Sequence, residues 1–332
     1  MRGPSHKATT APTAERVQVT VMNEALVIRL PCICAPIDEF MKVSLLRRFF
    51  ANEEINFVLT NRIPRVAVTR FMGWFSKLEI PWLTRLSIAV WRLFTDLDLS
   101  DARPVRYRSL HDCFTRELID GARPVDLRES VLCSPCDAIV GAHGRIHEGQ
   151  VLQIKGLPYA LRDLVGTNEP LAALEQGQFI TLRLTSAMYH RFHAPCDLHV
   201  EHLTYISGDV WNVNPAAVKR ISGLYCRNER AVVRSRVLGS NSNTAPMLIV
   251  PVAAILVASM RFRFADVLMH LRYRGAHLLR CDARLRKGEE MGWFEHGSTI
   301  ILLVPPGYRL DETITEGARV RMGQAMLHRM AA

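Results

Sequence analysis

Three short segments combine residue types that can do chemistry. Tyr189–Cys196 (YHRFHAPC) carries two histidines three positions apart, with a cysteine three positions further on. Ser134–Asp137 (SPCD) carries a cysteine beside a carboxylate, and Gly297–Thr299 (GST) places a hydroxyl directly before an apolar run. Serine, histidine and a carboxylate are the groups of nucleophilic catalysis, whereas histidine and cysteine are zinc ligands. The residue types therefore allow either a nucleophilic site or a metal site.

A metal site would draw on both cysteine-containing segments. Cys133 and Cys136, together with His190, His193 or Cys196, could supply the four nitrogen and sulfur ligands that zinc prefers. The cysteine pair lacks the second C-x-x-C half of a common zinc module, and no clear helix brings the two histidines onto one face. Buried or hydrogen-bonded histidines and inert cysteines explain the same residues, and the sequence favours that explanation.

A hydrolase would need Ser298 as nucleophile, His193 as base and Asp137 as the orienting acid. The residue types are present, but Ser298 does not stand in a G-x-S-x-G turn. Small residues before a strand more often form a turn than a site. The Gly-Ser-Thr triplet by itself therefore carries no argument for catalysis.

The elements that must position these groups change character along the chain. Residues 1–43 predict a disordered or uncertain extension, 44–124 shows helical periodicity, and 125–332 has short apolar runs broken by turn residues. The sequence thus predicts an α+β fold, a helical N-terminal region followed by a β-rich domain. The predicted strands include Ala138–Val140, Phe179–Leu184, Ala231–Val237, Leu248–Val257 and Thr299–Val304. The last of these is apolar throughout, which predicts a strand buried on both faces.

An apolar face runs along the predicted helix Pro81–Phe94, which begins with a proline suited to a first helical turn. Its members are Trp82, Leu86, Ala89, Val90 and Leu93. The preceding segment, 65–80, mixes Trp and Phe with Arg and Lys, a combination that suits a helix lying in a lipid interface. Packing of an amphipathic helix on a protein core gives the same pattern, and periodicity alone favours core packing.

The composition is that of a globular protein with an excess of basic residues. Charged residues make up 22% and apolar residues 48% of the 332 residues, so general disorder is not expected. The formal net charge of +10 suits nucleic acid, an anionic membrane surface or an acidic substrate. Eight cysteines without a secretory signal predict a reducing compartment. No apolar window reaches the roughly 18 residues of a membrane span.

Several motifs in a fixed order give the chain a resemblance to a known family. They are Tyr189–Cys196, Tyr205–Pro215 (YISGDVWNVNP), Arg227–Arg230 (RNER) and Lys287–Thr299 (KGEEMGWFEHGST). From about residue 44 to 327 the sequence resembles the phosphatidylserine decarboxylases, which are self-processing proenzymes with a pyruvoyl group. The resemblance implies that the β-rich region is a catalytic domain and that no metal is required.

The resemblance implies a role in self-processing for four of the candidate residues. The Oγ atom of Ser298 would attack the carbonyl of Gly297, with His193 as base and Asp137 as orienting acid. The resulting ester would eliminate, and hydrolysis would leave a pyruvoyl group in place of Ser298. The attacking side chain must be a serine or a thiol, because the elimination needs a heteroatom on the β-carbon.

The mature enzyme implied by the resemblance consists of a large chain, 1–297, and a small chain, 298–332, which are partners of each other. The pyruvoyl carbonyl would form a Schiff base with the amine of phosphatidylserine, and carbon dioxide would leave. His190 would then return a proton to give phosphatidylethanolamine.

The resemblance also implies partners and a location. The helical region becomes a membrane-associating region, because the substrate is an anionic lipid. We expect a homo-dimer that lies peripherally on the cytoplasmic face of the bacterial inner membrane and does not bind nucleic acid. The family commonly has glycine where this chain has Ala138, and leucine where it has His296. We expect cleavage to occur despite both differences.

Overall fold

The computed structural model describes residues 57, 63–153, 157–166, 169, 171–239, 245–256, 259–270, 273–295 and 298–330. All of these lie in one compact unit that spans 43–332. The predicted extension 1–43, and His296 and Gly297 before the expected cut, lie outside the described residues. The helices are α1 Arg65–Phe75, α2 Pro81–Phe94, α3 Leu110–Phe114, α4 Leu161–Val165, α5 Pro215–Val218 and α6 Leu224–Arg227, with a 3-10 turn at Leu171–Leu174.

The described residues form seventeen strands in four antiparallel sheets. The strands are β1 Val131–Cys133, β2 Ala138–Arg145, β3 Gln150–Leu152, β4 Pro158–Ala160, β5 Gln178–Arg183, β6 Arg191–His193, β7 Leu198–Ile206, β8 Arg230–Val237, β9 Pro246–Ala253, β10 Ser259–Phe262, β11 Val267–His270, β12 Leu278–Leu285, β13 Glu290–Phe294, β14 Ser298–Val304, β15 Tyr308–Leu310, β16 Arg319–Val320 and β17 Ala325–Arg329. The largest sheet has the order β12-β7-β8-β9-β14-β5-β2-β16, and a second has the order β11-β10-β13-β6. The smaller sheets are β1-β17-β15 and β3-β4.

Strand β14 lies inside the large sheet, between β9 and β5, and all seven of its residues are buried. Successive side chains of a strand point to opposite faces. Ile300 and Leu302 accordingly join one apolar cluster, which includes aromatic residues of the second sheet. Ile301 and Leu303 join a separate cluster on the other face. A strand buried on both faces, predicted for Thr299–Val304, is therefore present.

The described part of the chain is β-rich with few helices, in agreement with the predicted α+β class. One strand prediction is wrong at its end, because Leu248–Val257 was expected and β9 stops at Ala253. Leu256 then adopts a left-handed backbone conformation with φ of 72°, which a strand does not accommodate. The domain boundaries at residues 43 and 124 stay predictions.

The apolar face predicted for α2 is turned to solvent. The exposed fractions are 66% for Trp82 and 54% for Leu86, whereas the buried residue of α2 is the polar Thr84. On α1, Phe71 and Trp74 are also more than half exposed. Core packing therefore does not account for this face. In the described ranges, the helices are too short or too polar to cross a membrane.

Candidate active site

Ser298 is the first residue of β14. Its side chain is fully buried, and Oγ has no hydrogen-bond partner among the described residues. Its carbonyl oxygen accepts the N–H of Leu184 at 2.8 Å, and on the other side Ser298 pairs with Ala253 of β9. Leaving a buried hydroxyl without a partner costs about 1–3 kcal/mol, so such a group needs an explanation.

His190 lies at the end of β13 that leads into Ser298. Its carbonyl oxygen accepts the N–H of Phe294, the last residue of β13, at 3.0 Å. Its Nε2 lies 3.2 Å from the carbonyl oxygen of Ser186, in the segment that follows β5. The imidazole is fully buried and stacks on Phe114, with ring centroids 3.9 Å apart. The ring is thus fixed on two sides.

His193 lies at the opposite end of β13, where it pairs with Glu290. Its Nδ1 donates to the carbonyl oxygen of Gly288 at 2.8 Å, which leaves Nε2 to accept from the Tyr189 hydroxyl at 3.0 Å. Burial lowers the pKa of His193, and the hydrogen bond to Gly288 opposes only part of that shift. The ring is therefore neutral near pH 7 and able to accept a proton.

Asp137 is bound by an arginine that no sequence pattern marked. Nε of Arg123 donates to Oδ1 at 2.9 Å and its Nη2 to Oδ2 at 2.6 Å, while the Met322 N–H donates to Oδ1 at 2.9 Å. Arg123 also pairs with Asp101 at 2.7 Å. Burial lowers the pKa of Arg123, but the two carboxylates outweigh it and the pKa ends above its usual range. In the described structure, no hydrogen bond joins Asp137 to His193.

The strand register separates the two histidines. They are three residues apart in sequence, which corresponds to about 10 Å of extended chain, and they pair with residues at opposite ends of β13. His190 is therefore brought towards Ser298. His193 is brought towards Asp137, because its N–H donates to the Pro135 carbonyl oxygen at 2.8 Å. The roles expected of these four residues stay predictions.

Replacing Arg123 with methionine is expected to lower the free energy of unfolding by about 3–5 kcal/mol, because Asp137 would remain buried without its ion-pair partner. Urea unfolding measures the change. Arg128→Met is the control, because the Arg128 side chain is 63% exposed in its ion pair with Asp126 and should cost less than about 1 kcal/mol. Equal effects of the two substitutions would contradict a buried ion pair.

Two cavities adjoin at residues that contact His190. One, of about 290 Å³, lies beside the segment after β5, and the other is an apolar groove of about 510 Å³ between α1 and α2. Both are lined by Phe114, Ser186 and Leu256, and the first two of these also contact His190. The smaller cavity has one cationic side chain among its lining residues, Arg183. A small polar group and an apolar chain could thus occupy adjoining spaces.

The cysteines of the alternative zinc site make a hydrogen bond or apolar packing contacts. Cys133 Sγ donates to the Asp126 carbonyl oxygen at 3.4 Å, and Cys136 and Cys196 pack in the first apolar cluster. Burial raises the pKa of Cys196 to about 12. Across the described ranges, no three His, Cys, Asp or Glu side chains converge in a way that could hold a metal ion.

Glu295 is a buried carboxylate of the Lys287–Thr299 motif for which no role was predicted. Its Oε2 accepts hydrogen bonds from Lys77 Nζ at 2.8 Å and from Ser259 Oγ at 2.9 Å, and His111 Nε2 lies 3.8 Å from Oε1. Lys77 follows α1, and His111 belongs to α3. The cluster therefore ties the helical region to the chain just before Ser298. In the sequence, the position of Glu295 three residues before Ser298 is the one feature that could have indicated its place near the site.

Known proteins are similar to this chain over most of its length. The phosphatidylserine decarboxylase proenzyme of Aliivibrio fischeri is 33% identical over 280 residues, which cover 80% of this chain and 94% of that protein. The proenzyme of the same name from Yersinia enterocolitica is 32% identical over 286 residues, which cover 82% and 96%. The sequence profile of the family described as phosphatidylserine decarboxylase matches residues 110–328. These matches confirm the resemblance carried by the motifs, and the chain therefore belongs to the phosphatidylserine decarboxylase family, whose members are carboxy-lyases.

Proposed function

We propose that this protein converts phosphatidylserine to phosphatidylethanolamine after cutting its own chain between Gly297 and Ser298. The proposal is carried by the Ser298 hydroxyl, which is buried at the head of a central strand and has no partner in the described structure. The names of the relatives, which are proenzymes of phosphatidylserine decarboxylase, support both the substrate and the processing.

Mass spectrometry of the purified protein tests this proposal. Fragments of 297 and 35 residues are expected, the smaller with a blocked N-terminus. The cut protein should release carbon dioxide from vesicles that contain phosphatidylserine. An intact chain with full activity would overturn the proposal.

The surroundings of Ser298 fit a pyruvoyl group formed from that residue. Its formation removes Oγ and turns Cβ into a methyl group. Because Oγ has no partner among the described residues, its loss would break no described hydrogen bond, and the paired residue on β9 is the small Ala253. Such a group supplies a carbonyl that condenses with the substrate amine and withdraws electrons as carbon dioxide leaves.

In this proposal His193 is the base for the first step of self-processing. Its neutral Nε2 has to leave the Tyr189 hydroxyl and reach that of Ser298, which follows the other end of β13. With its proton removed, Ser298 Oγ bonds to the carbonyl carbon of Gly297. The bond from that carbon to the Ser298 nitrogen breaks, and the nitrogen takes the proton back from the imidazole, which leaves an ester and a free amine. The negative charge of Asp137 favours the protonated imidazole that this step produces.

His190 and the smaller cavity would serve the lipid substrate. His190, fixed by Phe114 and Ser186, would return a proton to the carbon that has lost carbon dioxide. The guanidinium of Arg183 would pair with the headgroup phosphate, since arginine binds phosphate oxygens with two donors at once. The apolar groove between α1 and α2 would hold the start of an acyl chain.

The exposed apolar residues of α1 and α2 would dock on the membrane that contains this substrate. Phe71, Trp74, Trp82 and Leu86 are more than half exposed, and the net charge of +10 suits an anionic lipid surface. This surface supports a peripheral position on an anionic membrane, and the cytoplasmic face of the bacterial inner membrane stays a prediction. The homo-dimer stays a prediction.

The double substitution Trp82→Glu and Leu86→Glu is expected to weaken binding to anionic vesicles roughly 100-fold, because two apolar side chains no longer leave water. Vesicle sedimentation measures the binding. Self-processing should continue, since it occurs within one chain. Leu127→Glu, at a leucine that is 81% exposed and lies outside both helices, is the control and should bind normally. Unchanged vesicle binding by the double variant would contradict the docking surface.

A further inference from the structure

Glu229 is a fully buried acid to which the proposed mechanism gives no role. Its Oε1 lies 2.9 Å from the Tyr205 hydroxyl, while Oε2 has no hydrogen-bond partner among the described residues. No Lys or Arg in the described ranges forms an ion pair with it. Burial raises the pKa of Glu229 to about 7, although the hydrogen bond from Tyr205 acts in the opposite direction.

The strand register places Glu229 beside the reacting residue. Its carbonyl oxygen accepts the N–H of Ala253 at 2.8 Å, and Ala253 is in turn the partner of Ser298. Opposed residues in antiparallel strands share a face, so the carboxyl and the Ser298 hydroxyl project to the same side of the sheet. The outer two Cα atoms are about 10 Å apart, with Ala253 on the strand between them. Both side chains have a buried oxygen without a described partner.

The hydrogen bonds of the sheet also define where the α-hydrogen of Ser298 points. The carbonyl of Ser298 binds Leu184 of the segment after β5, and the N–H of Ala253 binds Glu229. Ser298 and Ala253 therefore form a non-hydrogen-bonded pair, in which the Cα–H groups face each other. The α-hydrogen of Ser298 is thus directed towards Ala253, and Glu229 lies on the far side of Ala253.

The backbone of Glu229 is held in place by the motif that contains Gly208. The N–H of Glu229 donates to the Asp209 carbonyl oxygen at 2.8 Å. A β-carbon added at Gly208 would lie 2.7 Å from the Glu229 nitrogen and 2.5 Å from the Arg227 carbonyl oxygen, so only glycine allows this approach. The Tyr205–Pro215 and Arg227–Arg230 motifs, which are separate in sequence, thereby position Glu229 together.

Tyr205 can serve both protonation states of this carboxyl. Its hydroxyl lies 2.9 Å from Glu229 Oε1 and 3.1 Å from the carbonyl oxygen of His270, but a phenol has a single proton to donate. It can donate to an ionised Glu229. When Glu229 is protonated, the acid can donate to the Tyr205 oxygen while Tyr205 donates to His270. A carboxyl group that gains and loses a proton needs a hydrogen-bond partner that can both donate and accept.

We propose that Glu229 is the base that removes the α-hydrogen of Ser298 in the second step of self-processing. The electrons of the Cα–H bond form a double bond to Cβ, the bond from Cβ to Oγ breaks, and Oγ leaves as the carboxylate of Gly297. The proton ends on Glu229, so atoms and charge balance. The inference rests on the proposed function and leaves the first step to His193.

Glu229→Gln tests the inference because the amide keeps the shape of the side chain but cannot take the proton. The variant should form the ester and stop there, with elimination slowed about 100-fold or more. Hydroxylamine should then release a small fragment that begins with serine, whereas the wild-type fragment begins with a pyruvoyl group, lighter by one ammonia. A residue that only supports the fold would not change which N-terminus forms. Tyr205→Phe, which removes the donor to the carboxylate, should slow the same step less.

Glu201→Gln is the matched control, because the carboxylate of Glu201 on β7 pairs with Arg234 and Arg236. It should give the pyruvoyl fragment at the normal rate, and thermal unfolding should show that both glutamine variants are folded. A pyruvoyl fragment from Glu229→Gln at the wild-type rate would overturn the inference, as would a folded variant that forms no ester. Neither result would affect the proposed function, which fails only if the wild-type chain stays uncut.

Discussion

Ser298→Ala is expected to leave the chain uncut and without decarboxylase activity. Alanine has no Oγ to attack the Gly297 carbonyl and no heteroatom to leave from the β-carbon, so neither step of self-processing can occur. Denaturing electrophoresis and mass spectrometry should show a single chain of 332 residues. Assays on phosphatidylserine vesicles should show no carbon dioxide above background.

Thr181→Val separates this loss from a general disturbance of the sheet. Thr181 lies on β5 next to β14, and its buried hydroxyl also lacks a partner among the described residues. Valine has the same shape, so this variant should be cut and active. Cleavage of Ser298→Ala at the same bond would exclude Ser298 as the nucleophile.

Substitutions of the two histidines are expected to block different stages, one decarboxylation and the other self-processing. His190→Ala should be cut like the wild type, but its decarboxylation should be slower by about 10²- to 10⁴-fold, because the proton donor is lost. His193→Ala should remain largely uncut, because the base of the first step is lost. Electrophoresis reports the cut, and carbon dioxide release reports turnover by whatever has been cut.

His147→Ala is the control for both histidine variants, since the side chain of His147 is 71% exposed and should affect neither measurement. A reversed result, with His190→Ala uncut and His193→Ala cut, would contradict the assignment. The strand register makes the reversed result physically possible, because His190 lies at the end of β13 that leads into Ser298.

The large sheet was in good part predictable, because its inner strands are long and apolar. Thr299–Val304 is apolar at almost every position and is buried on both faces, as continuous apolar strands in a sheet usually are. The second sheet was not predictable, because strands such as β10 and β11 have four residues each and show no clear alternation. Pairing between such short segments depends on contacts distant in sequence.

The motifs marked the chemical groups but not their partners. His190, His193 and Ser298 stand in recognisable sequence patterns, whereas Arg123, which binds Asp137, stands in none. An ion pair between residues from different parts of the chain leaves no local periodicity. The exposure of the α2 apolar face to solvent was not predictable either, because periodicity shows which residues form the face and not what covers it.

The inner position of β14 determines how the two fragments of the cut protein would be held together. The cut would leave the small chain holding β14 together with β15, β16 and β17, so its departure would expose both apolar clusters. The fragments should therefore stay together without a covalent link. Unfolding of the precursor involves one molecule, whereas unfolding of the cut form is also a dissociation, with a midpoint that depends on protein concentration. If the chain folds as one piece and then works as two, the lifetime of the mature enzyme depends on how slowly the two fragments separate.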